Sequence, residues 1–158
     1  MRIGIGYDCH QFIAGDHAMI GGVRIPHDRG VKAHSDGDVL LHALADAMLG
    51  AAALGDLGQH FPDTDEKFAN IDSIILLEQV LKRASGKGWY PVNVDITVIA
   101  QTPKLAPYRE AMRDRLAGQM GLKASEVNVK ATTTEGLGFI GREEGIACHC
   151  VTILSSAT

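Results

Sequence analysis

Large aromatic rings are scarce in this chain: one tryptophan, three tyrosines and four phenylalanines among 158 residues. Rings give the most burial per side chain, so a core without them leans on small and aliphatic residues. An oligomer interface can supply part of the missing burial. Cysteine is equally sparse, with only Cys9, Cys148 and Cys150. A low, odd count does not suit the disulfide framework of a small secreted domain and fits a reducing, cytoplasmic setting. No apolar run reaches membrane-spanning length and no charged-then-apolar leader precedes the first strand, so neither insertion nor secretion is expected. A basic excess is missing too. The net charge of −4 gives no general field for nucleic acid or an anionic bilayer, and neither is an expected partner. An anionic substrate would need local cations, and a bound metal is the natural one. What is present is an ordinary globular balance, 46% apolar and 22% charged, with length enough for a single domain over residues 1–158.

The elements are mixed. "MRIGIGY" reads as a first strand, and "HAMIGGVRIPHDRG" as a hairpin turning at Gly21-Gly22, its second arm ended by Pro26. A helix follows in "DGDVLLHALADAMLGAAALG", with Ser35 or Asp36 as N-cap and Gly55 closing it. "FPDTDEKFAN" has no periodicity and reads as a loop, and "SIILLEQVLKRASG" as a second helix capped by Asp72. In "PVNVDITVIAQ", Val92, Val94, Ile96 and Val98 share one face of a strand, opposite Asn93, Asp95 and Thr97. Pro107 opens a third helix with the stripe Tyr108, Ala111, Met112, Leu116 and Met120, closed by Gly121. "EVNVKATT" and "GIACHCVTIL" are two more strands. The expected class is α+β, one layer of helices over a mostly antiparallel sheet.

Three stretches carry chemistry. In "GIGYDCHQF", Asp8 and His10 share one face at the end of the first strand, while Cys9 points to the other. A carboxylate and an imidazole so placed suit a divalent metal, or simply a solvated strand end. In "HSDGDVLLHALADAMLG", Asp38, His42 and Asp46 recur at helical spacing as one polar stripe, which faces either solvent or a site. Joined to Asp8 and His10, His42 completes a set of one oxygen and two nitrogens. That set leaves one tetrahedral position open, as a catalytic zinc requires, and Asp46 could orient an imidazole. The third stretch, "KATTTEGLGFIGREEG", offers hydroxyls and turn-forming glycines bracketed by Lys130, Glu135 and Arg142. It suits a diphosphate with Mg²⁺, or reads as a threonine-rich strand running into a loop. "CHC" at Cys148–Cys150 is a rival metal proposal, but strand alternation sends His149 away from both thiols, and buried strand filler is the better reading.

"GYDCH", "AHSDGDVLLHALADAMLGAAALGDLGQHFPDTD", "DITVIAQTPKLAP" and "NVKATTTEGLGFIGREEGIAC" together resemble the 2-C-methyl-D-erythritol 2,4-cyclodiphosphate synthase family across essentially the whole chain. The resemblance implies a homotrimer of ferredoxin-like subunits, with helices on one face of the sheet and active sites at the subunit interfaces. It implies a reaction in which the 2-phosphate of 4-diphosphocytidyl-2-C-methyl-D-erythritol 2-phosphate attacks the β-phosphorus and expels CMP. Zinc would be held by Asp8, His10 and His42, and Mg²⁺ or Mn²⁺ by Glu135 with the substrate diphosphate. His34 and Thr133 match residues that stabilise the transition state. Ser35, Asp56, Leu57, Gly58, Phe61, Pro62, Asp63, Thr64 and Asp65, with Asp8, His10 and His34, fall in segments that contact the erythritol phosphate. Ala100, Gln101, Thr102, Pro103, Lys104, Leu105 and Ala106, with Thr132, Thr133, Thr134 and Glu135, match the cytidine and phosphate pocket contributed by a neighbouring subunit. Phe139 and Arg142 match residues near a central cavity that in some members holds an isoprenoid diphosphate, which makes that ligand a candidate partner. Cys9 stands where an aliphatic residue is usual, and Leu105 and Gly136 fall at variable positions.

Two other readings compete. A zinc-dependent phosphohydrolase would use the same triad with water as nucleophile, and Asp46 as a conceivable base. A trimeric isoprenoid-binding module would need the central cavity without the metal set.

Overall fold

The computed structural model describes residues 1–156. In chain order the elements are β1 (Arg2–Ala14), β2 (His17–Ile20), β3 (Val23–Pro26), β4 (Arg29–Val31), α1 (Val39–Ala52), α2 (Leu57–His60) and α3 (Ser73–Ser85). They continue through β5 (Trp89–Ile99), α4 (Arg109–Met120), β6 (Val127–Thr132), α5 (Gly138–Gly141) and β7 (Gly145–Ser156). Five strands form the main sheet in the order β4-β1-β7-β5-β6, while β2 and β3 pair separately as a hairpin. Gly21 and Gly22 turn that hairpin with φ of +61° and +71°, a geometry that only glycine adopts without strain.

All neighbours in the main sheet are antiparallel except β5 and β6. The α+β class with helices over one face therefore holds, but the ferredoxin-like connectivity does not. In a split β-α-β-β-α-β unit another strand separates the two parallel strands. Here β7 does lie between β1 and β5, but β6 returns through α4 to lie directly beside β5.

Strand alternation sends Val94, Ile96 and Val98 of β5, Val127 and Val129 of β6, and Ile146, Cys148 and Cys150 of β7 into the core beneath α1, α3 and α4. The cysteines are buried strand filler and His149 is exposed, as their spacing predicts. Val92 breaks the expected alternation. A register shift between Pro91 and Asn93 turns it out of the core. In α4 the buried stripe is Met112, Leu116, Ala117 and Met120, with Ala111 exposed. The opposite face of the sheet leaves Ile3, Ile5 and Tyr7 exposed.

β1 does not stop at Tyr7. It pairs with β7 as far as Gln11 and with β4 from Phe12 to Ala14, so Asp8 and His10 lie well inside a strand. On the helix-facing side of β1 the order is Gly4, Gly6, Asp8, His10. Gly4 and Gly6 let α1 pack directly on the strand: a Cβ at either would lie 1.9 Å from a backbone carbonyl oxygen of α1.

Asp38, and not Ser35 or Asp36, caps α1, and Ala53 in a left-handed conformation (φ +57°) closes it ahead of Gly55. The Asp38 carboxylate is fully buried and accepts the amides of Gly21 (2.9 Å), Gly22 (2.6 Å) and Leu41 (3.0 Å). Burial pushes its pKa up while these three amides pull it down, with the net direction upward. Asp38 therefore pins the hairpin turn to the start of α1. The variant Asp38→Asn must aim an amide N–H at backbone donors. It should lose about 2–3 kcal/mol of stability in urea unfolding. An unchanged midpoint would show that the hairpin and helix are held together by other contacts.

Candidate metal centre and active site

β1 and α1 meet where Asp8 and His10 face His42. Asp8 Oδ2 lies 2.9 Å from His10 Nε2 and 3.0 Å from His42 Nδ1, and the two nitrogens are 3.0 Å apart. Two imidazole nitrogens in contact can share only one proton, so this triangle is better satisfied by a central cation. Tetrahedral zinc with ligands at about 2.0–2.1 Å would place neighbouring donors about 3.3 Å apart, close to the spacing observed. Among the described residues these three are the one group of His, Cys, Asp and Glu that converges in this way. Asp8 is also in the right ionic form. Burial pushes its carboxyl up, but hydrogen bonds and charge from His10 and His42 outweigh that and bring it down to about 2.

His42 is itself buried, at 8% exposure, so it does not lie on an open helix surface. Two cavities meet at it. One, of about 250 Å³, is lined by His10, His34, Ser35, His42, Leu57, Phe61, Asp63 and Phe68 among others. The other, of about 270 Å³, is lined by Tyr7, Asp8, His42, Asp46, Asp56, Leu57 and Gly58. Most residues expected around the erythritol phosphate are thus gathered at the metal set. Pro62, Thr64 and Asp65 lie in the adjoining loop, where the Asp65 carboxylate holds Lys67 and its carbonyl lies 3.3 Å from His34 Nε2. That stretch is not wholly irregular. Asp65 caps a short 3₁₀ turn at Glu66–Phe68, and Phe61 and Phe68 pack edge to face beneath it.

The polar residues of α1 do not share one role. Asp38 is the buried cap, and Asp46 Oδ1 accepts the amide of Leu57 at 3.0 Å instead of orienting an imidazole. Asp46 thereby fixes the start of α2, which Asp56 caps. The oxygens that do meet His42 Nε2 belong to Ser35, at 3.0 Å, and Ser73, at 2.9 Å. Ser73 goes unnoticed in the sequence, because its neighbour Asp72 already explains that helix start.

A third cavity of about 230 Å³ is lined by Ala100, Gln101, Pro103, Lys104, Leu105, Ala106, Thr132 and Thr133, together with Ala131. Thr102 joins the same turn through a cis bond to Pro103, and the Thr134 amide donates to Gln101 Oε1 at 3.3 Å. Thr133 Oγ1 donates to Glu135 Oε1 at 2.9 Å, and Glu135 takes a left-handed backbone with φ +52°. Register places this pocket at the same end of the sheet as the metal set. Cys9 and Ile99 both pair with Ala147, and Ile99 pairs with Thr132. Three strand spacings separate β1 from β6, about 14 Å, so one chain does not bring Glu135 or Thr133 to Asp8, His10 and His42. Phe139 is exposed on α5, and Arg142 pairs with Glu144 at 2.7 Å.

The YgbB family model matches residues 1–155. The 2-C-methyl-D-erythritol 2,4-cyclodiphosphate synthase of Pseudomonas savastanoi pv. phaseolicola is 61% identical over 157 residues, covering 99% of this chain and 100% of the relative. That of Pseudomonas aeruginosa strain UCBPP-PA14 is 61% identical over 154 residues, covering 98% of each. Among solved structures, the bifunctional IspDF from Campylobacter jejuni aligns with TM-score 0.95 and 47% identity, over 99% of this chain and 42% of that one. The Plasmodium falciparum IspF–CDP complex aligns with TM-score 0.87 and 34% identity, over 99% and 97%. With its partly buried Asp-His-His set and a fold matched end to end, the chain belongs to the YgbB family, whose curated members include the 2-C-methyl-D-erythritol 2,4-cyclodiphosphate synthases.

Proposed function

We infer that this chain converts 4-diphosphocytidyl-2-C-methyl-D-erythritol 2-phosphate to 2-C-methyl-D-erythritol 2,4-cyclodiphosphate and CMP. The observation that carries the reading is the convergence of Asp8, His10 and His42 between two cavities, in a chain matched end to end by curated synthases. An oxygen of the 2-phosphate attacks the β-phosphorus, and the bond from that phosphorus to the bridging oxygen breaks. CMP leaves with the electron pair. Such a transfer depends chiefly on positioning and on spreading negative charge. Zinc held by Asp8, His10 and His42, and Mg²⁺ or Mn²⁺ held by Glu135 with the diphosphate, would supply the positive charge that this net-negative chain lacks.

The chain's own groups do the rest. His34 and Thr133 donate hydrogen bonds to phosphoryl oxygens, and Ser35, Asp56, Gly58 and Asp63 position the erythritol phosphate. Phe61 and Phe68 give the cavity an apolar wall. The turn at Ala100–Ala106 with Thr132 takes the cytidine, and Lys104 meets its phosphates. Binding of CDP by the Plasmodium falciparum relative supports that assignment. The hydrolase reading is weaker because Asp46, its conceivable base, already accepts the Leu57 amide. A pure binding module would have no use for the converged triad.

The site is completed by a second copy of the chain. The separation of Glu135 and Thr133 from the triad supports this, as does the uncovered apolar sheet face carrying Ile3, Ile5 and Tyr7. A homotrimer of single-domain subunits in the cytoplasm fits both features, with Phe139 and Arg142 near its axis and an isoprenoid diphosphate as candidate occupant there. Sedimentation of the 16.9 kDa chain as a monomer at working concentration would overturn the trimer.

Phosphorus NMR of the protein with substrate and Mg²⁺ tests the reaction. Equal amounts of CMP and cyclic diphosphate should form, vanish after metal stripping, and return with zinc. Inorganic phosphate or an open-chain product would make water the nucleophile and overturn the synthase assignment.

A further inference from the structure

We propose that Ser73, backed by Asp36, is a positioning residue for the metal centre, holding the His42 imidazole in the tautomer that carries its proton on Nε2. The inference rests on reading Asp8, His10 and His42 as metal ligands. Ser73 is the first residue of α3 and is 1% exposed. Its hydroxyl is not needed to start that helix, because Asp72 caps it by accepting the amide of Ile74 at 2.9 Å. Beyond a long 3.5 Å approach to Ser35 Oγ, the hydroxyl makes two closer contacts. It donates to Asp36 Oδ1 in a short bond, and its oxygen lies 2.9 Å from His42 Nε2.

The proton count fixes the direction of this chain. A serine hydroxyl has one proton, and an ionised Asp36 can only accept it. Asp36 is held in that role on several sides, its carboxylate also accepting the amides of Ser73 (3.2 Å) and Asp38 (3.1 Å). Ser73 therefore has only a lone pair left for His42. Nε2 must supply the proton, and in the neutral ring Nδ1 is then a bare lone pair. Nδ1 is the nitrogen turned to Asp8 and His10. The series Asp36, Ser73, His42 thus does for this ring what a directly bonded carboxylate does for many metal-bound histidines.

Ser35 contacts the same nitrogen at 3.0 Å, but it does not fix the tautomer. Its oxygen accepts the amide of Gly37 at 3.3 Å and lies 3.5 Å from Ser73 Oγ, and no carboxylate holds its proton, which is free to turn into the cavity. The two serines accordingly divide the work: Ser35 faces substrate and Ser73 faces the ring from behind.

Zinc affinity, measured by competition with a chromophoric chelator, provides a test that does not depend on turnover. Ser73→Ala should bind zinc about 10–100-fold more weakly than wild type, and Asp36→Asn should fall between the two. In long-range proton–nitrogen spectra of the metal-free protein, His42 should be protonated at Nε2 in wild type and a mixture of tautomers in Ser73→Ala. A purely structural role would lower the unfolding midpoint and leave the ring spectrum alone. Should Ser73→Ala fail to fold by circular dichroism, Asp36→Asn gives the same comparison with the hydroxyl kept. A folded variant that holds zinc within about twofold of wild type, with Nε2 still protonated, overturns the inference and leaves the metal centre standing. A wild-type chain that takes up no zinc overturns the metal reading, and this inference with it.

Discussion

The His42→Ala variant should release CMP at least about 10³-fold more slowly than wild type, because the lost cation would be worth several kcal/mol of charge stabilisation. Elemental analysis should find the zinc gone as well. Alanine removes one of three donor atoms, and Asp8 with His10 alone, both on one strand, leave the opposite side of the ion to solvent. Folding should be touched far less. His42 is buried, but its partners are polar groups beside open cavities, which water can fill once the ring is removed. A loss of about 1–2 kcal/mol in urea unfolding is expected. A variant that kept full turnover without zinc would break the metal assignment. A variant that failed to fold would mean that the ring supports the packing of α1, and Asp8→Asn would then carry the test.

Gly6→Ala should be nearly as damaging, although residue 6 touches no substrate. The new Cβ would lie 1.9 Å from the carbonyl oxygen of Ala43 and 2.8 Å from the amide nitrogen of Ala47. Both are backbone atoms in the middle of α1, so no side chain can swing aside to make room. The helix would have to lift by about 1.5 Å to reach ordinary contact, at a cost of about 1–3 kcal/mol or more. His42 adjoins Ala43 and would be carried away from Asp8 and His10, while metal ligands tolerate displacements of only about 0.2 Å. Lower stability and substoichiometric zinc should therefore appear together. Gly50, also in α1, provides the control. A Cβ there meets nothing within 4 Å, and Gly50→Ala should raise stability by about 0.5–1 kcal/mol with zinc unchanged. Full zinc occupancy in Gly6→Ala would show that strand and helix can separate without disturbing the triad.

The parts of the site that follow from periodicity were legible in the sequence. Asp8 and His10 share a face because strands alternate, and the buried thiols with exposed His149 follow from the same rule. Residues whose role depends on a distant partner were not legible. Asp38 and Asp46 sit four residues either side of His42 and suggest one stripe, but the hairpin turn claims the first and α2 claims the second. Ser73 reads as part of a helix start until α3 is seen to place its hydroxyl behind His42. Val92 obeys the alternation on paper, and only the register of β5 against β7 reveals the bulge. β1 runs past Tyr7 because Asp8–Gln11 continue the ladder with β7 and Phe12–Ala14 pair with β4, a three-residue strand too short to leave a pattern of its own. The ferredoxin-like expectation erred at a single crossover, the return of β6 to the side of β5.

Asp8 and His10 stand opposite Cys148 and Ile146. The strand that presents them is therefore aligned by residues synthesised about 140 positions later, so the metal site has one of the largest loop closures in the molecule. On a translating ribosome, α1 and its histidine can form as soon as they emerge, but the ladder that aligns Asp8 and His10 along β1 is completed only when β7 is free to pair. Zinc offered early meets an incomplete site. A metal held by this triad would accordingly be loaded late, in molecules whose sheet has already closed.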